Sequence, residues 1–178
     1  MLFRSAGALD VQSSFIARYS SLTFIPDALG DLLYTGIAQN AFKQNVAYAL
    51  QSDGAYRLND SHTLRAGLFL QTDHSISETT SQVLLTDDAG TAIGDTPAAI
   101  IDNGTRTEWI ESGYLQDEWR VQPTFPVNYG LRFDRFNAYT GASQVSPRLN
   151  VVWQALPGTT VHAGYSRYLS PPRFELVG

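Results

Sequence analysis

The sequence predicts an all-β fold, an antiparallel up-and-down meander of about seven long strands that forms part of a transmembrane β-barrel. Three observations point there. Apolar and polar residues alternate with a period of two in segment after segment, the sorting a strand imposes by pointing successive side chains to opposite faces. Tight connections between these segments take turns with longer ones. Aromatic residues make up 12% of the chain while charged residues make up only 16%, below the roughly 25% of ordinary soluble domains.

In chain order, VQSSFIARYS opens the first strand, 11–24. The second, 43–58, sets Val46, Tyr48, Leu50, Tyr56 and Leu58 against Asn45, Gln51, Asp53 and Arg57. The third, 62–76, sets Leu64, Ala66, Leu68 and Leu70 against Arg65, Gly67, Phe69 and Gln71. In the fourth, 106–122, Leu115, Trp119 and Val121 share their face with a carboxylate, Asp117. The fifth, 127–139, is the cleanest: Val127, Tyr129, Leu131 and Phe133 oppose Asn128, Gly130, Arg132 and Asp134. In the sixth, 146–156, Leu149, Val151 and Trp153 oppose Arg148, Asn150 and Gln154. In the seventh, 159–169, Val161, Ala163, Tyr165 and Leu169 oppose His162, Gly164, Ser166 and Tyr168. Pro147, Pro171 and Pro172 are expected at strand ends, where a missing N–H is tolerated.

Tight connections are expected at Asn59–Ser61, Pro123–Pro126 and Leu156–Gly158, and the longest loop at Ser75 to Thr105. Strict alternation gathers the tight turns at one end of the sheet and the long loops at the other. Outer-membrane barrels are arranged so, with short periplasmic turns and long extracellular loops. With seven strands, the first and the last both run outward.

The totals are consistent with a barrel wall. The mean hydropathy is -0.16, which excludes a bundle of apolar helices but suits strands on which only every second residue meets lipid. The net charge is -5 and Lys43 is the sole lysine, so there is no basic cluster for nucleic acid. There are 0 Cys, which removes disulfides, thiolate metal sites and cysteine nucleophiles together. The opening MLFRSAGALDVQSS lacks the apolar core of a secretory signal, and a truncated start is expected. An open sheet in lipid also leaves two unpaired edges, so the segment is expected to join further strands, oligomerise into a closed ring or stay out of the membrane.

Four stretches carry a family resemblance. GYLQDEWRV (Gly113 to Val121), NYGLRFDRF (Asn128 to Phe136), SPRLNVVW (Ser146 to Trp153) and AGYSRYLSPPRFE (Ala163 to Glu175) stand in this order and spacing. Together they resemble the middle-to-late barrel strands of TonB-dependent outer-membrane receptors, and AYRLNDSHTLRAGLFL extends the resemblance to about Ala47. The resemblance implies a barrel of about 22 strands closed by a plug. It also implies import of a scarce nutrient, such as a siderophore complex or another large solute, by the whole receptor. Residues 1–178 are then a single partial barrel segment in the bacterial outer membrane. Its partners are membrane lipid, the remaining strands and the plug, with TonB reached only through the plug region. The alternatives are a small barrel with an adhesive or enzymatic role and a soluble β-sandwich binding module.

No enzyme, cofactor or metal site is expected. His62, His74 and His162 have no ligand spacing, and Asp87, Asp88, Asp95 and Asp102 match no calcium loop. Asp117, Glu118 and Asp134 suit wall charges balancing Arg120, Arg132 and Arg135 better than paired catalytic carboxylates. The expected functional positions are therefore surface positions. Arg65, Arg132, Asp134, Arg148 and His162 would face the lumen, and Trp119, Tyr129, Trp153 and Tyr165 would form an aromatic girdle.

Overall fold

The structure, a computed structural model, describes residues 2–6, 8–137 and 141–169. Eight strands and one helix follow one another: β1 (Leu2–Ala6), β2 (Leu9–Phe24), α1 (Ala28–Thr35), β3 (Ile37–Arg57), β4 (His62–Val83), β5 (Ala98–Gln122), β6 (Phe125–Asn137), β7 (Gly141–Leu156) and β8 (Thr159–Ser166). They form one sheet in sequence order, β1 to β8. The ladders of β1 with β2 and of β5 through β8 are antiparallel, with Leu131 opposite Leu115 on one side and Pro147 on the other. The antiparallel meander stands as expected.

Several expectations need correction. A further strand, β1, precedes the first expected one, so the meander has eight strands among the described residues. β1 runs opposite to β2 and β8, so the seven-strand account of chain direction gives way. The loop expected at Ser75 to Thr105 shrinks to residues 84–97, because β4 continues to Val83 and β5 begins at Ala98. His74, expected near a loop, therefore lies inside β4, where its Nδ1 is 2.9 Å from Thr107 Oγ1. The connection from β6 to β7 is only residues 138–140, so long loops do not alternate strictly with tight turns. The end of the expected strand 127–139 and the stretch from Ser170, including Pro171 and Pro172, lie outside the described residues.

Tight turns recur where expected, at 58–61, 123–124 and 157–158. The last two share a device. The register slips between Arg120 and Gln122 before one turn and between Gln154 and Leu156 before the other. One extra residue is thereby placed in each outgoing strand, and such a bulge sharpens the local twist. Within residues 84–97, Asp87 ties a small hairpin: its carboxylate accepts from the N–H groups of Ala89 and Thr91. Among the described residues no group of three His, Cys, Asp or Glu converges on a metal position.

Helix α1 interrupts the connection between β2 and β3. Asp27 caps it by accepting from the Gly30 N–H at 3.3 Å, which satisfies one of the free donors of the first turn. Gly36 ends it at φ 75, a left-handed conformation that costs a glycine little. Its Leu29, Leu33 and Tyr34 are exposed.

The chain folds as two compact units. One comprises Met1–Ile16, Tyr48–Thr72 and Glu108–Gly178, the other Ala17–Ala47 and Asp73–Thr107. Neither holds a conventional apolar core. The buried hydrophobic residues among those described are alanines, Ala38, Ala47 and Ala49, whereas the buried polar ones are Asp73, Ser112, Asp117, Asp134 and Ser146. Large apolar side chains are on the outside.

Candidate functional site: two faces of one sheet

In β6 the burial pattern reverses that of a water-soluble strand. Tyr129, Leu131 and Phe133 are exposed, Leu131 at 58%, while Asp134 on the opposite face is 5% exposed. The ladder extends this sorting to the neighbours. Leu131 pairs with Leu115 and Pro147, and Tyr129 with Leu149, which in turn pairs with Tyr165. One face of β5 to β8 thus presents Leu115, Leu131, Phe133, Val145, Leu149, Trp153, Val161 and Tyr165, all exposed. Water would penalise such a patch by roughly 25 cal/mol for each Å² of apolar surface.

The other face is polar and internally bonded. Asp134 accepts from Ser112 Oγ at 2.7 Å and from Arg132 Nε at 2.8 and 3.0 Å. The register explains the meeting, since Ser112 lies opposite Asp134 and Tyr114 opposite Arg132. Arg65 grips Glu118 through both its Nε and a terminal nitrogen. Tyr114 donates to Asp53 at 2.8 Å, and Gln144 donates to Ser146, which is fully buried. The guanidinium carbon of Arg148 lies 5.5 Å from the centre of the Tyr168 ring. His162 is exposed opposite Val152 and joins none of these pairs.

The sequence singled out Arg65, Arg132, Asp134 and Arg148, and the structure gives each a partner on this polar face. The partners Glu118, Ser112, Asp53 and Tyr168 were not foreseen as such. Strand register was the signal that could have paired Ser112 with Asp134.

Of the four aromatic residues singled out, Trp153 and Tyr165 stand exposed on the apolar face opposite Val161 and Leu149. Trp119 and Tyr129 instead join a polar cluster on that face. Asp117 Oδ2 is 2.7 Å from His62 Nδ1 and accepts from the Tyr129 hydroxyl at 2.9 Å. The His62 and Trp119 rings stack at 5.6 Å and 12°. The carboxylate that broke the alternation of β5 is therefore covered rather than displaced. A second aromatic and charged cluster lies ten positions back along the strand. Trp109 and Glu111 face Asn137 and Arg135 around a cleft of about 310 Å³, with Glu111 and Arg135 3.7 Å apart.

Residues 4–178 match the family model described as TonB dependent receptor-like, beta-barrel. The chain belongs to this family. Its strands are barrel strands of a TonB-dependent receptor segment, and its location is the outer membrane. The segment is also similar to two curated relatives, each named iron-regulated outer membrane virulence protein, from the classical Ogawa and El Tor Inaba strains of Vibrio cholerae serotype O1. Each is 33% identical over 73 residues, covering 41% of this chain and 11% of the relative. No solved structure matches.

Proposed function

We propose that this segment is barrel wall in a receptor that imports a scarce nutrient, its apolar face against lipid and its polar face towards the lumen. The observation that carries this reading is the inverted burial of β5 to β7, where Leu115, Leu131 and Leu149 are exposed on one face while Ser112, Asp134 and Ser146 are buried on the other. A soluble sandwich sorts its strands the opposite way, with the apolar face inside. Arg65, Arg132, Asp134, Arg148 and His162 then line the lumen. Trp119, Tyr129, Trp153 and Tyr165 form an aromatic belt at the membrane border. The remaining strands, a plug and, through that plug, TonB are the partners such a wall requires.

The nutrient we favour is an iron complex carried by a siderophore, because the similar Vibrio proteins are named for iron regulation. No catalytic role is proposed. The bonded carboxylates of the polar face are tied to Arg, Ser and Tyr partners rather than aimed at a shared reacting position.

This segment has 0 Cys, so once any cysteines elsewhere in the receptor are replaced, single cysteines placed along β6 can be labelled without background. In the full receptor in liposomes, labels at 127, 129, 131 and 133 should be quenched by lipid-borne quenchers. Labels at 128, 130, 132 and 134 should be quenched by a water-soluble one. Uniform quenching along the strand would overturn the wall assignment. Uptake of iron-loaded siderophores by cells whose only such receptor carries this segment tests the nutrient separately.

A further inference from the structure

Asp117 shares the apolar face of β5 and β6 with Leu115, Leu131 and Val127, as does Glu111 further back along β5, but Glu111 is half-exposed beside Arg135. The Asp117 side chain is 9% exposed. Both donors that reach it, His62 and Tyr129, act on Oδ2, and Oδ1 has no hydrogen-bond partner. A buried carboxylate oxygen without a donor is costly and calls for a cation or a further N–H.

The surrounding charges do not supply one. Arg65 and Arg132 lie on the polar face with Glu118 and Asp134, and Arg57 is paired with Asp60 in the turn. Arg120 points to the polar face by its parity in β5. The rim of the cluster consists of aromatic rings: Trp119 is 39% exposed and Tyr129 44%, with His62 stacked on Trp119. Aromatic faces around a carboxylate are the chemistry that recognises an ammonium group.

We propose that this cluster, at the tight-turn border of the apolar face, is a site for a phospholipid headgroup bearing a primary ammonium. The ammonium donates one N–H to Asp117 Oδ1 and lies against the Trp119 and Tyr129 rings, while the acyl chains lie over Leu115 and Leu131. Entry requires the His62 ring to swing off Trp119 and give up its bond to Oδ2, which the ammonium, with three N–H donors, replaces. His62 is the first residue of β4 and its side chain is 30% exposed, so that rotation disturbs no strand interior. The proposal rests on the apolar face meeting lipid, as argued above.

The test uses the full receptor in nanodiscs of equal parts phosphatidylethanolamine, phosphatidylcholine and phosphatidylglycerol, with retained lipid read by native mass spectrometry. Phosphatidylethanolamine should be retained about fivefold over the other two, the factor that a net advantage of about 1 kcal/mol gives. Asp117→Asn should bring the three lipids to parity, Trp119→Leu should roughly halve the preference, and His62→Ala should leave it in place or raise it. Heat-modifiable gel mobility identifies which variants are folded, and Trp119→Leu decides the matter if Asp117→Asn is not. Equal retention of phosphatidylcholine, a preference for phosphatidylglycerol, or a preference unchanged in a folded Asp117→Asn or Trp119→Leu receptor would overturn the site. Quenching of Trp119 by brominated lipid separates the two failures. Without quenching the lipid-facing reading falls, and with quenching but no preference the headgroup site alone falls.

Discussion

The Tyr114 ring occupies the space that a side chain at Gly67 would need. A Cβ built on Gly67 would collide with that ring and with the Asp53 carboxylate to which Tyr114 donates. This is an aromatic side chain covering a glycine on a neighbouring strand, a device that pins register while allowing the sheet to curve. Gly67→Ala should therefore cost about 1–3 kcal/mol, measured by urea unfolding of the full receptor in lipid. Tyr114→Ala should cost less in the Gly67→Ala background than alone, and strict additivity would show that the two do not act as a pair.

Gly130 is hemmed in by backbone instead. A Cβ there would meet the Leu115 carbonyl and the Gln116 Cα, both backbone atoms of β5. A side chain can rotate away and a paired strand cannot. We expect Gly130→Ala to impair assembly more than Gly67→Ala, seen as a smaller heat-modifiable fraction on gels.

Leu131→Arg should disrupt membrane assembly more than Arg132→Ala, because an arginine on the lipid face near the midplane costs ~2–4 kcal/mol. Equal defects in gel mobility would refute the assignment of faces.

Arg132→Ala is not silent, however. It leaves the buried Asp134 carboxylate with the Ser112 hydroxyl as donor, a loss worth about 1–3 kcal/mol. Arg132→Ala combined with Asp134→Asn should recover part of that loss in the same unfolding measurement. A double variant worse than the single would show that Arg132 does not serve Asp134.

Trp109 and Trp119 share a face of β5 ten residues apart, ~33 Å along a strand. At the 35–45° tilt of outer-membrane barrels this is about 25 Å of height, the thickness of the apolar band. Lipid quenchers placed near the headgroups should quench both tryptophans more than quenchers at the bilayer centre do. Strong central quenching of either would shift the membrane position along the strand.

The strands that could be read from sequence were those with unlike surroundings on their two faces. β6 alternates cleanly because Leu131 and Arg132 face different surroundings, and its register follows from that contrast. The ends of β4 and β5 escaped notice for the opposite reason. Residues 98–105 are half-buried or exposed without alternation, so no pattern marks them as strand, and the backbone ladder alone makes them one. Helix α1 did leave a signal, since Asp27 and Gly36 bracket it as start and stop residues. Asp117 was visible as an exception on its face, but its partners were not. His62 lies 55 residues away, and only strand pairing brings it near.

Alternation has one more consequence, for the route the chain takes to its membrane. A helix spanning a bilayer needs about 20 consecutive apolar residues, and such a run would halt a polypeptide in the first membrane it crossed. From Val127 to Asn137 in β6 every leucine or aromatic residue is followed by a polar residue or glycine, so no such run arises, even though the folded strand presents a continuous oily surface. The lipid-seeking face exists only after neighbouring strands have paired. The chain can therefore travel through one membrane as an unremarkable polar thread and become a membrane protein in the next.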